Sequence, residues 1–450
     1  MIDFGALIIP AEIVSALADS NHKSGWLSGA VVKSEHVFVA ISAQIGSETK
    51  VCNYYTALLP HRSWDVIQGV SKEHLLRWTQ VEAGFIEEYP VYKSFNTVEL
   101  AARISIDPAE LVEATTYVCV VEVHTKGPKV HAFKILSESG LSKFLRVDVI
   151  TIPETSDPYV RIPQDLTAAL RDKRVAVVGV GSGGGEIVLN LACAGVGHLL
   201  LFDDDRLHPE NYIRHVLSKR DLGRTKIAGI VDALRERNLP TEVISEKWNV
   251  LQWADEFRAS CAENRPDLII CATDSRNSRR FVNVCAIGLN IPLVVAGLLD
   301  AGRVGEIMFV QPRETACYEC IRLELGSALE GPESGERSPT PYGGEENVPQ
   351  STVQRFDIGF VSSIATRVAV QVLDPERYSR LPVDYLVWGR DRLKEYAPPF
   401  NFEYPLSLNL VPISKRADCP VCGTQPTDLD GVDIDGKFAD IIAQLDHLST

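Results

Sequence analysis

Between residues 165 and 310, short unbroken apolar runs alternate with segments whose apolar residues recur every three or four positions. The runs Val175–Val178, Leu199–Phe202, Asp267–Ala272, Pro292–Ala296 and Val304–Val310 have the length and β-branched content of buried strands. Thr241–Ser245 is a further strand. Between them, Glu186–Ala194, Thr225–Arg237, Leu251–Ser260 and Ser275–Leu289 are predicted helices. Short buried strands alternating with helices predict an α/β domain: a mostly parallel sheet covered on both faces.

The rest of the chain has a different rhythm. In residues 1–152, Ile8–Leu17 reads as a strand entering a helix, and Gly25–Val32 and Val37–Ile41 as strands. Pro60–Val81 mixes turn and helix, and Phe95–Ser105 is a helix candidate. Tyr117–Val123 and Lys129–Ile135 form a hairpin around Gly127-Pro128. A smaller α/β domain with a curved sheet is expected there. Residues 153–164 are its linker to a core at 165–320. Residues 321–356 lose all periodicity between Glu333 and Pro349 and are expected to form a long mobile crossover loop. In 357–450, Asp357–Leu373 resumes as a helix. Tyr385–Trp388 and Leu406–Leu410 read as strands of an end module, with a peripheral helix after Asp430.

Composition narrows the functional classes. The formal net charge is −15 and no long basic run occurs, so nucleic acid is not an expected partner. No stretch reaches the ~20 consecutive apolar residues of a span, and no signal-like leader is visible. A soluble cytoplasmic protein, away from membranes, is expected. Of the ten cysteines, Cys52, Cys119, Cys193, Cys261, Cys271 and Cys285 stand singly and read as buried small hydrophobes.

The candidate chemistry starts at Gly179-Val-Gly-Ser-Gly-Gly-Gly185. Gly179, Gly181 and Gly184 permit a sharp turn and close backbone approach, and the next helix aims its first amides at a ligand. This is a phosphate-binding strand–loop–helix. The next strand ends in Asp203-Asp-Asp205, acids suited to a ribose. Alone, the pattern suggests a nicotinamide or flavin dinucleotide. Asn211, Arg214 one turn later and Lys226 at a helix start change that reading, because a cation pair suits a triphosphate better than a hydride reaction. Asp274, just past a strand at the ligand-binding edge of the sheet, is a Mg2+ candidate. Cys317-Tyr-Glu-Cys320 and Cys419-Pro-Val-Cys422, with 98 residues between them, suit a four-thiolate structural Zn2+ that staples the end module to the sheet.

The glycine loop, Ala194-Gly-Val-Gly197, Asp203-Asp-Asp205, Asn211-Tyr-Ile-Arg214, Asp221-Leu-Gly-Arg-Thr-Lys226 and Cys271-Ala-Thr-Asp274 together resemble the ThiF/MoeB/ubiquitin-activating (E1-like) adenylating superfamily. The resemblance runs from about Arg174 to Val310, with the cysteine pairs beyond it. It implies a Rossmann-like adenylation domain using ATP and Mg2+, with the cysteines holding structural Zn2+. Asp203, with Asp205 beside it, would hold the ribose. Asn211, Arg214 and Lys226 would contact phosphates, and Asp274 would bind Mg2+. The implied reaction joins the C-terminal carboxylate of a ubiquitin-like protein to AMP, releasing pyrophosphate. Its implied setting is a bacterial ubiquitin-like conjugation or defence system, with a homodimer and a downstream conjugating enzyme. The alternatives are a peptide- or sulfur-carrier-adenylating enzyme, a non-catalytic scaffold for a ubiquitin-like partner, and an NAD-dependent oxidoreductase.

Two departures stand out. Thioester-forming members carry a Cys in the crossover loop, and Ile321–Phe356 has none. Cys261 and Cys285 are not obvious replacements. The Arg that reaches a partner subunit's ATP has no motif here, Arg161 and Arg171 being the candidates. The first region resembles the JAB/MPN fold of metal-dependent deubiquitinases in the order of Gly25-Trp-Leu-Ser-Gly29, Glu87-Glu-Tyr-Pro90, Asn96-x-x-Glu99 and the hairpin. Glu87, Tyr89, Asn96 and Glu99 stand where that family has its zinc-binding His, His, Ser and Asp. An inactive, metal-free partner-binding module is therefore expected, with His124 and His131 as surface or packing residues.

Overall fold

The computed structural model describes residues 5–423 apart from 33–36, 52–73, 89–92, 106, 112–114, 126, 153–157, 160, 238, 330–331 and 334–352. The chain divides into two units, Met1–Asp157 and Pro158–Thr450. The division lies within 153–164. Most of the expected crossover loop, and the helix expected after Asp430, lie outside the described residues.

In the first unit, β1 (Ala6–Pro10) leads into α1 (Ala11–Ala18). Then come β2 (Ser24–Val32), β3 (Val37–Ile45), β4 (Glu48–Val51), β5 (His74–Glu82), β6 (Ser94–Asn96), α2 (Thr97–Arg103), β7 (Thr115–His124), β8 (Gly127–Glu138) and β9 (Leu141–Ile152). The order β1-β3-β2-β5-β7-β8-β9 closes on itself through β9 pairing with β1, giving a mixed seven-stranded barrel. The expected curved α/β sheet is thus corrected to a closed barrel. Two of the barrel strands went unread, β5 and β9, as did the short β4 and β6 outside the barrel order. His74–Glu82 is a strand, not turn and helix, because β2 and β7 pair with it on both sides. Leu141–Ile152 supplies the closure through pairing with both β8 and β1. The β7–β8 hairpin has the two-residue period of strands covered on both faces. Cys119, Val121 and Ala132 join Ile13 and Leu17 of α1 in one cluster. Val118, Val120, Phe133 and Ile135 join Leu100 and Ala101 of α2 in another.

The second unit contains α3 (Gln164–Arg171), β10 (Arg174–Val178), α4 (Ser182–Ala194), β11 (His198–Phe202), α5 (Lys226–Glu236) and β12 (Glu242–Glu246). It continues with α6 (Ala254–Asn264), β13 (Leu268–Cys271), α7 (Arg276–Leu289), β14 (Leu293–Leu299) and β15 (Val304–Val310). Beyond these lie α8 (Tyr318–Leu325), α9 (Arg355–Leu373), β16 (Tyr385–Gly389) and β17 (Ser407–Val411).

The sheet order is β12-β11-β10-β13-β14-β15-β16-β17. The first five strands are parallel, and β15, β16 and β17 continue antiparallel. The mostly parallel sheet read from the sequence is thus a mixed one. The cause is the link between β14 and β15: Asp300, Ala301 and Gly302 turn the chain at φ of 49°, 47° and 86°. A link this short makes a hairpin, whereas a parallel neighbour needs a crossover.

Both faces of β10, β11, β13 and β14 are buried, as their continuous apolar runs require, while the edge strand β12 stays largely exposed. Ala176, Val178, Ile269 and Cys271 face α6, α7 and α8. Val175, Val177, Leu268 and Ile270 face α3, α4, α5 and α9. Helix α9, with a mean hydropathy of 1.4, is long and apolar enough to cross a membrane by length and composition alone. It is instead largely buried against α4, β14 and β15.

Candidate nucleotide site and four-cysteine centre

The parallel strands end at one edge, and there the glycine loop forms. Gly179 has φ +84°, and its amide donates to Phe202 O at 2.8 Å. Helix α4 starts at Ser182, four residues earlier than the sequence predicts, taking Gly183, Gly184 and Gly185 into its first turn. Glycine costs a helix about 1 kcal/mol per residue. The reason here is steric, since a Cβ on Gly184 would stand 1.9 Å from Gly179 O. Gly184 therefore packs the helix onto the loop. Gly181 caps α4 without a side-chain bond, leaving its first amides available to an anion.

Around this loop lies a cavity of about 410 Å³. Gly179, Gly181, Asp203, Asp205, Asn211, Arg214, Lys226 and Asp274 all line it. Sequence positions spread over 96 residues thus converge on one hollow, and only Gly184 supports it from behind.

Asp203 clamps the loop: one carboxylate oxygen accepts from Val180 N and the other from Asp205 N, each at 2.8 Å. Burial raises its carboxyl to about 6, against the pull of Lys226 and the two amides. Lys226 is buried at the start of α5 and bonds Asp205 Oδ2 at 2.7 Å. Asp205 is exposed and lines the cavity as the salt-bridge partner of Lys226. Arg214 Nη2 donates to Asn211 Oδ1 at 3.3 Å, holding both on one turn. Asp274 is exposed at the cavity rim after β13. A carboxylate in this place would suit Mg2+, which takes one or two carboxylates and fills its shell with phosphate and water.

Several parts of the site carried no readable signal. His215 is buried, accepts from Leu217 N at Nδ1 (3.1 Å), and so donates from Nε2 to Val180 O (3.0 Å). Burial lowers it to about 4, which keeps it neutral in that role. Trp248, Asn249 and Val250, following β12, form one wall. Ser362 of α9 lines the cavity and donates to Gly183 O at 3.2 Å. Arg279, which also lines the cavity, forms a buried ion pair with Glu306, 27 positions away.

The four paired cysteines meet. Cys317, Cys320, Cys419 and Cys422 are buried, with all four sulfurs within 4.8 Å of one another. The separations are 3.9 Å for Cys317–Cys320, 3.6 Å for Cys317–Cys419 and 3.3 Å for Cys320–Cys422. Tetrahedral Zn–S bonds of ~2.3 Å set sulfurs ~3.8 Å apart, so the set fits the ion. Of the other cysteines, Cys193 is exposed, contrary to its reading as buried. Burial pushes Cys261 up to about 12 and Cys285 higher, which makes both poor thiolates. Arg161 and Arg171 are exposed, and neither lines the cavity.

In the first unit, Asn96 caps α2 by accepting from Val98 N (3.0 Å) and Glu99 N (3.2 Å). Tyr89 lies outside the described residues. His124 and His131 meet the buried Glu122 at 2.9 and 3.4 Å.

Residues 157–375 match the model of the ThiF family. The "Ubiquitin-like modifier-activating enzyme 5" of Drosophila simulans is 28% identical over 159 residues, covering 34% of this chain and 39% of that protein. The "Sulfur carrier protein ThiS adenylyltransferase" of Escherichia coli (strain K12) is 31% identical over 154 residues, covering 34% of this chain and 59% of that protein. The match thus spans 39% and 59% of these two relatives, under two thirds of either. Among solved structures, that of E. coli MccB with ATP is 19% identical, covers 60% of this chain and 75% of that one, and has a TM-score of 0.45.

Proposed function

From the match of residues 157–375 to the ThiF family, we propose that the chain is an E1-like, ATP-dependent adenylyltransferase acting on the C-terminal carboxylate of a small carrier protein or peptide. The observation that carries this reading is the convergence of Asn211, Arg214, Lys226 and Asp274 on one cavity with the glycine loop.

The chemistry follows from those groups. The nucleophile is a carboxylate, already ionised at neutral pH, so no general base is needed. Its oxygen attacks the α-phosphorus and pyrophosphate leaves. The loop amides, Arg214 and Lys226 are placed to stabilise charge on the phosphates as the bond breaks. Asp274 would hold Mg2+, which neutralises phosphate charge when bound. The four cysteines would hold Zn2+ remote from this step. The relatives' names speak of a ubiquitin-like modifier in one case and a sulfur carrier in the other. The reading therefore stands at the level of a small carrier or peptide, and a ubiquitin-like partner is its narrower form. A homodimer and a cytoplasmic setting belong to the same reading, tested by light scattering and by cell fractionation.

Labelled α-phosphate tests the reaction. With α-labelled ATP, Mg2+ and a carrier, label is expected on the carrier's C-terminus and absent when that carboxylate is amidated. Label on an internal residue would refute the reading.

Asp203 gives a pH test. Ribose hydroxyls donate to its ionised form, while burial holds the free group near 6. Adenosine affinity is therefore expected to be flat above pH 6 and to fall by up to about tenfold per unit below it. Calorimetry with adenosine, which carries no titrating phosphate, reads this directly. Asp203→Asn should be weaker and flat throughout, and the same slope in that variant would remove Asp203 from the ribose.

A further inference from the structure

We propose that Arg279, Glu306 and Tyr385 form a buried positioning device that fixes the backbone around Asp274 and thereby sets its affinity for a divalent cation. The inference rests on the reading of Asp274 as a metal ligand and adds what holds it in place.

Arg279 lies in the first turn of α7 and is 3% exposed. A buried cation there opposes the helix dipole and costs desolvation. Its bonds indicate what it does. Nε donates to Thr273 O at 2.9 Å, and Nη1 to Glu306 Oε1 at 2.5 Å. Nη2 lies over Gly297, where a Cβ would approach within 2.0 Å, so β14 carries glycine to admit it. Glu306, 6% exposed on β15, accepts from Tyr385 Oη of β16 at 3.1 Å through its other oxygen. One guanidinium thus ties the end of β13 to the three strands beside it.

Asp274 sits between two fixed points. The Thr273 carbonyl is held by Arg279. Ser275 on the other side caps α7, its Oγ accepting from Ser278 N at 3.3 Å. No side-chain bond is needed at Asp274 itself, which leaves its oxygens for a ligand. A buried ion pair adds little net stability compared with apolar groups of the same volume. This one is better accounted for by the placement of the 273–275 turn. Groups that orient a metal ligand typically change affinity 10–100-fold when removed.

The test is Mn2+ binding to the full chain with a non-hydrolysable ATP analogue, read by electron paramagnetic resonance without turnover. The variants are Arg279→Lys, Glu306→Gln and Tyr385→Phe, with Asp274→Ala as reference. Glu306 and Tyr385 do not line the cavity. Arg279→Lys cannot serve Thr273 and Glu306 together, and about tenfold weaker Mn2+ binding is expected. Glu306→Gln should follow it and Tyr385→Phe show a smaller loss. Arg279 itself lines the cavity, so the control is read on the other two: analogue affinity in EDTA should stay within about twofold of the parent in Glu306→Gln and Tyr385→Phe. Unchanged Mn2+ affinity in the variants, with Asp274→Ala impaired, overturns the positioning role alone. So does a loss of analogue affinity in EDTA parallel to the loss of Mn2+, which marks a general structural role. Mn2+ binding that ignores Asp274→Ala overturns both this inference and the reading beneath it.

Discussion

Lys226→Ala is expected to lower ATP–pyrophosphate exchange by about 10²–10³-fold, the scale on which a preorganised charge acts at a developing negative centre. The ammonium is buried and pinned 2.7 Å from Asp205, so on the proposed reading it would meet the phosphates without reorganising from water. Removing it does a second thing. Asp205 is left without its partner at the cavity wall, where it repels the triphosphate. ATP affinity should therefore fall as well, by about tenfold, or roughly 1.4 kcal/mol. The double variant Lys226→Ala/Asp205→Ala separates the two effects. It should recover most of the affinity and none of the exchange. Stopped-flow binding beside the exchange assay checks both. Recovery of exchange in the double variant would mean that Lys226 acts only by neutralising Asp205.

The second large effect is expected at the cysteines. Replacing Cys419 and Cys422 with Ser should release about one Zn2+ per chain and lower the melting temperature by more than about 10 °C. Cys317 caps α8, packed on the sheet core, while Cys419 and Cys422 lie past β17. A bound ion would tie the two, and its removal by chelation would leave four buried sulfurs facing one another. Elemental analysis and calorimetry read the loss, and a strong chelator should reproduce it in the parent chain. Full metal content or an unchanged melting temperature in the double Ser variant would exclude a structural metal.

What the sequence disclosed follows from the range of the interactions. The glycine loop, Asp203, the Asn211–Arg214 turn and the cysteine pairs are short motifs whose spacing carries their chemistry: the first three line one cavity, and the four paired cysteines meet one another elsewhere. The Arg279–Glu306–Tyr385 chain is a contact among β14, β15, β16 and α7, and no spacing encodes it. Asp205 was legible as an acid near a nucleotide loop, but its pairing with Lys226 depends on how α5 returns to the loop. The antiparallel β15 looks in sequence like any buried strand, and only the tight turn at Asp300–Gly302 sets its direction. The barrel was missed for a related reason. β5 and β9 are strands because of the neighbours they pair with, and those pairings join residues far apart in the chain.

The central claim is adenylation of a carboxylate. The most direct measurement is isotope exchange between pyrophosphate and ATP, catalysed by the full chain with Mg2+ and a panel of small carrier proteins bearing free or amidated C-termini. The account expects exchange with a free C-terminus and none with its amidated form. Exchange indifferent to amidation, or none with any carrier while ATP stays bound, would contradict it.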